Sequence, residues 1–132
     1  MTSLAFRRMA TVTANTIANP GTFASNGILA QAGSVTGDQG LMCLDIGGAD
    51  ALANSLAGSG ANGGTDFRVR QRIETTVRLP GYVGANNNNA AVVAFIQGRN
   101  TGAETGSATN NVSGVPPGGG FVGGAACPQP SP

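Results

Sequence analysis

The chain has 132 residues, 22 of them Gly, with 10% charged residues, a net charge of +1 and neither His nor Trp. That length fits one domain. Because an ordinary soluble domain carries roughly 25% charged residues, the surface here falls largely to Ser, Thr, Asn, Gly and Ala. All seven basic residues are Arg, so the commonest general acid–base side chain, the Schiff-base amine and the phosphate-cradling lysine are all excluded.

Residues 4–17 read as one or two short strands, with Val12, Ala14 and Thr16 alternating against Thr11, Thr13 and Asn15. No apolar run in residues 1–25 resembles an export signal, and no segment reaches the ~18 apolar residues of a membrane span. Asn19-Pro20-Gly21 is a turn signal, and residues 27–36 follow as a further strand. Leu41 to Ile46 is a short, buried strand by length and apolarity. Asp50 as N-cap, Leu52 and Leu56 at i, i+4, and Gly58 as a left-handed stop predict a two-turn helix.

The strongest local pattern runs over residues 66–79. Phe67, Val69, Gln71, Ile73, Thr75, Val77 and Leu79 alternate with Asp66, Arg68, Arg70, Arg72, Glu74, Thr76 and Arg78. Such alternation predicts one long, half-buried strand of an antiparallel sheet. Asn86 to Asn89 reads as a loop, and residues 90–97 as a compact apolar strand containing Val93 and Phe95. Residues 98–120 read as a long polar arm, and the Pro-rich end as extended chain. Asn26-Gly27 and Asn62-Gly63 are hairpin-turn signals, and no solenoid-type repeat stands out.

These elements predict a single all-β domain, an antiparallel sandwich or jelly-roll-like body with one short helix. Its parts would be an N-terminal arm or strand (1–20), a core (21–99) and a Gly/Asn/Pro-rich C-terminal arm (100–132). Gly-rich backbone and Ala-rich core both weaken an isolated fold, so the chain is expected to depend on neighbouring subunits.

Chemistry is read mostly by elimination. Asp45, Asp50 and Asp66 are the carboxylates with any chance of converging, but strand end, helix cap and strand start are simpler roles for them. Asp45 to Asp50 has only a slight likeness to a calcium loop, and the required oxygen count and spacing are missing. No catalytic residue, metal or cofactor is expected. Cys43 and Cys127 either form a disulfide that ties the tail to the body or remain as two buried thiols. Asn111-Val112-Ser113 is a glycosylation sequon of the kind that chance supplies in an Asn- and Ser-rich chain. Arg68, Arg70, Arg72 and Arg78 form a row that would pair with acids across strands or subunits, face solvent, or meet nucleic acid.

The functional expectation is a non-enzymatic, self-assembling structural protein that contacts copies of itself and other shell or filament subunits. A virion coat, minor capsid or decoration subunit comes first, and an extracellular filament, pilus or surface-layer subunit second. A small carbohydrate- or ice-binding domain is the third expectation.

Overall fold

The computed structural model describes residues 7–17, 26–34, 37–48, 50–60, 63–110 and 119–128. Among these described residues there are seven strands: β1 (Arg7–Val12), β2 (Ile28–Ala32), β3 (Leu41–Ile46), β4 (Phe67–Gln71), β5 (Thr76–Arg78), β6 (Gly106–Thr109) and β7 (Gly120–Val122). One α-helix, α1 (Asn89–Gln97), lies between β5 and β6, and a 3-10 turn covers Asp50–Leu52.

Odd-numbered strands form one sheet in the order β1-β3-β5-β7, and even-numbered strands form a second in the order β2-β4-β6. Every pairing is parallel. The antiparallel sandwich or jelly roll expected from the sequence is therefore overturned: the arrangement is two parallel-only sheets plus one helix. The chain visits the sheets alternately, so it winds in successive coils. A third column of parallel bridges, Thr16–Ser55–Thr101, marks the remaining side of each coil.

The corner between β4 and β5 explains why the 66–79 pattern is deceptive. The expected single strand is in fact two strands in different sheets, separated by residues 72–75. Four residues is an even number, so the in–out parity survives the corner and the sequence shows no break. The corner itself is held by side chains. Gln71 Nε2 donates to Ile73 O at 3.0 Å and Thr75 O at 2.7 Å. The Thr75 hydroxyl reaches Arg72 O at 2.6 Å and Ala32 O at 3.1 Å. Ile73 takes a left-handed φ of 60°, a strained choice for a β-branched residue that these bonds enforce.

Three further expectations change. The two-turn helix at Asp50 is only the 3-10 turn, because residues 54–56 are drawn out to bridge the adjacent coils. The expected strand at 90–97 is α1, whose Val92 and Ile96 are buried one turn apart. Asn88, read as loop, is its N-cap, and its side chain accepts from Ala91 N at 3.0 Å. Residues 106–109, assigned to the arm, form the third strand of the smaller sheet. Asn26-Gly27 turns no hairpin, since no two paired strands are antiparallel.

The core fills the space inside the coils. Phe67, Val69 and Val77, on the apolar face of the 66–79 pattern, are buried there, together with Leu44, Ile46, Leu56, Leu79, Val92, Ile96 and Phe121, whereas Ile73 of the same face is only partly buried because it sits in the corner. Val93 and Phe95 are partly buried against it, on α1. Space is tight: a Cβ on Gly106 would sit 2.1 Å from the Phe67 ring, so the large ring on one coil requires the missing side chain on the next.

Candidate functional site

Each coil turns past the third column at an Asn-Thr or Asn-Ser pair, and the three Asn side chains stack. Asn54, fully buried, donates through Nδ2 to Val12 O at 2.7 Å and to Asn100 Oδ1 at 2.8 Å. Its Oδ1 accepts from Asn15 N at 3.0 Å and Asn15 Nδ2 at 3.2 Å. Asn100 Nδ2 continues to Ile96 O at 2.8 Å and Ile46 O at 3.3 Å. A buried amide with both donors and its acceptor engaged carries little desolvation penalty and fixes the stacking register.

A second polar ladder stands at the corner before the smaller sheet. Asn26 Oδ1 accepts from the Thr65 backbone and hydroxyl, at 3.2 and 3.0 Å. Asp66, 2% exposed, accepts from Thr105 N and Oγ1, both at 2.9 Å, and from Gly60 N at 3.0 Å and Ser59 Oγ at 3.2 Å. Burial pushes the Asp66 carboxyl up, but the bonds from Thr105, Gly60 and Ser59 outweigh it, so it lies below its ordinary value.

Asp45 and Asp66 thus serve separate corners and do not converge. Asp45 forms an ion pair with Arg99 at 2.9 Å. The Arg99 guanidinium also lies 5.1 Å from the centroid of Phe95, whose ring meets Tyr82 edge-on at 5.6 Å. No three His, Cys, Asp or Glu residues cluster among the described residues, and the side chain of Asp50 lies outside them. A groove of about 530 Å³ between β2, β3 and residues 37–40 includes Arg8, Gln31, Ser34, Asp38, Gln39 and Met42 in its lining. In it the Ser34 backbone N–H and hydroxyl reach Asp38 Oδ2 at 2.6 and 3.5 Å, an exposed contact within one loop.

The four-arginine row divides. Arg68 and Arg70 project outward from β4, with Arg72 following at its end, whereas Arg78 lies on β5 in the other sheet. Arg78 Nε donates to Cys43 Sγ at 3.3 Å. Cys43 and Cys127 are joined by a disulfide across 84 residues. The segment after β7 therefore folds back over the outer face of the larger sheet, and Gly81 N donates to Gly124 O at 3.2 Å on the way. The sequon at Asn111 and residues 129–132 lie outside the described residues.

The two ends of the coiled body differ. At the far end α1 packs against β6, and Phe121 N of β7 donates to Asn86 O at 2.9 Å. At the near end β1 and β2 are both edge strands. Val12 O accepts from Gly47 N and Ile28 N donates to Asp66 O, so in the alternating parallel pattern Met9, Thr11, Leu29 and Gln31 turn their backbone groups away from the body. Met9 and Leu29 are 47% and 58% exposed. The sequence pointed to neither the Asn ladder nor this edge pair. The available signal was Ala14-Asn15-Thr16-Ile17-Ala18 repeated as Ala53-Asn54-Ser55-Leu56-Ala57.

Comparison with protein-family models, with curated proteins and with solved structures found no match.

Proposed function

We propose that this chain is a non-enzymatic assembly module that joins a second copy of itself through its first coil. The observation that carries the reading is the contrast between a far end covered by α1 and Asn86 and a near end whose two edge strands have no strand partner among the described residues. Unpaired N–H and C=O groups along an edge are a template for strand addition. Because the far end is covered, head-to-tail stacking lacks a second edge, and head-to-head pairing about a two-fold axis gives a closed dimer.

The disulfide supports an oxidising location, and so an extracellular or cell-surface role over one inside a reducing cytosol. Its test is recovery from intact cells: the oxidised chain belongs in the extracellular fraction, and purely reduced, cytosolic protein contradicts the assignment. The assembly reading is tested by Leu29→Pro. This substitution removes an outward N–H on an edge strand, where Pro is tolerated, and leaves the β2–β4 ladder intact. Wild-type dimer and variant monomer, both folded, are the expected results. A wild-type monomer at high protein concentration overturns the reading.

A further inference from the structure

We propose that the outer face of the smaller sheet binds a linear acidic polysaccharide, gripped by Arg68, Arg70 and Arg72. The proposal does not depend on the assembly reading, because it uses a face of the coils and not their end.

β4 is the middle strand of its sheet, so its outward side chains lie at the centre of that face. Arg68 and Arg70 are about 6.6 Å apart, at roughly 3.3 Å per residue, and Arg72 continues their parity. Like charges at that separation on one strand repel unless acids stand opposite. The register puts none there: Arg68 lies between Leu29 and Ser107, and Arg70 between Gln31 and Thr109.

Four carboxylates are engaged elsewhere. Asp45 holds Arg99, Asp66 is saturated by its corner, Glu74 accepts from Gln39 and Asp38 accepts from Ser34. Arg68 Nε is buried and has no hydrogen-bond partner among the described residues, so the contact with a ligand falls to the outer guanidinium nitrogens of the row. The face is therefore cationic along β4, with no carboxylate in register beside Arg68 or Arg70.

The neighbours decide between polyanions. Ser107, Thr109 and Gln31 supply neutral donors and acceptors, which match a hydroxyl-rich polymer as well as its acid groups. Single-stranded nucleic acid gains much of its affinity from bases stacked on aromatic rings. Among the described residues, Phe67, Phe121 and Tyr82 are buried, and Phe95 is taken by Arg99 and Tyr82. Three cations also fall short of the broad basic footprint usual for duplex binding. A disulfide-bonded chain belongs where acidic glycans are the commoner polyanions.

The experiment measures binding of the oxidised, full-length protein to heparin, to polygalacturonate and to duplex DNA at low salt, where the Debye length is roughly 30 Å. The variant is Arg70→Gln with Arg72→Gln, and Arg72→Gln alone serves if the double variant does not fold. Retention on an acidic polysaccharide is expected, weakened about tenfold in the double variant and severalfold in the single one. No retention on either polysaccharide overturns the proposal, as does unchanged retention by a folded variant. Tighter binding to duplex DNA than to both polysaccharides also overturns it, in favour of nucleic acid.

Discussion

The near and far ends of this molecule are built from the same parallel coil and finish it differently. At the far end β6 lies against a nine-residue helix and β7 gives its outward N–H to a loop carbonyl. At the near end β1 and β2 are edge strands with no strand partner among the described residues, and they carry Met9 and Leu29. A parallel coil has no intrinsic way to stop, because each strand leaves one row of backbone groups unpaired. The far end is a solution to that problem, and the proposed dimer would supply one for the near end.

Breaking what the two ends share should have the largest effect. Cys127→Ser opens a closed segment of 84 residues and frees the tail from β3. The expected loss is about 4 kcal/mol in the chain-entropy model, measurable by urea denaturation of variant and wild type. The first coil's edges are unaltered by this change, so the variant should still dimerise wherever it remains folded.

Asn54→Ala comes next. It strips the acceptor from Asn15 and a donor from Val12 O and Asn100 Oδ1 in the coil interior. Unsatisfied buried groups cost about 1–3 kcal/mol each, partly offset by relaxation, so a loss of about 3 kcal/mol is expected by the same measurement. Asn15→Ala, at the near end, removes one rung of the ladder from a more exposed residue and should cost no more than about 1 kcal/mol. Equal losses at the two positions would contradict the view that the ladder's middle is its anchor.

Asp66→Asn is expected to cost about 2 kcal/mol at neutral pH, through weaker bonds from Thr105, Gly60 and Ser59. The pH dependence has a definite sign. The folded carboxyl lies below its ordinary value, so the unfolded chain takes up a proton first as pH falls. Its contribution is complete above the unfolded pKa, about 3.9, and is lost as pH drops through the depressed folded value. Acid titrations of stability should show that lost slope in wild type and not in Asp66→Asn.

How much of this was legible in the sequence depends on which physical signal each part carries. Leu41 to Ile46 was readable because burial on one side and a short apolar run coincide. Phe67, Val69 and Val77 were readable as core for the same reason. Strand direction was not, because alternation reports only which face a residue occupies, and the even-numbered corner at 72–75 preserved it. α1 was hidden by an apolar run that suits a buried strand as well as a helix. The stacked Asn ladder was obscured by unequal coils: Asn15 and Asn54 are 39 residues apart, but Asn54 and Asn100 are 46 apart. Of the arginine row, the outward parity of Arg68, Arg70 and Arg72 was readable, and the transfer of Arg78 to another sheet was not.

The central claim is that the near end is completed by another chain. Multi-angle light scattering of the oxidised protein, with Leu29→Pro alongside, tests it most directly. A mass twice the 13.0 kDa of one chain, falling to 13.0 kDa in a variant that keeps its circular dichroism, is the predicted result. A wild-type monomer, or a dimer that survives Leu29→Pro unchanged, would contradict the account.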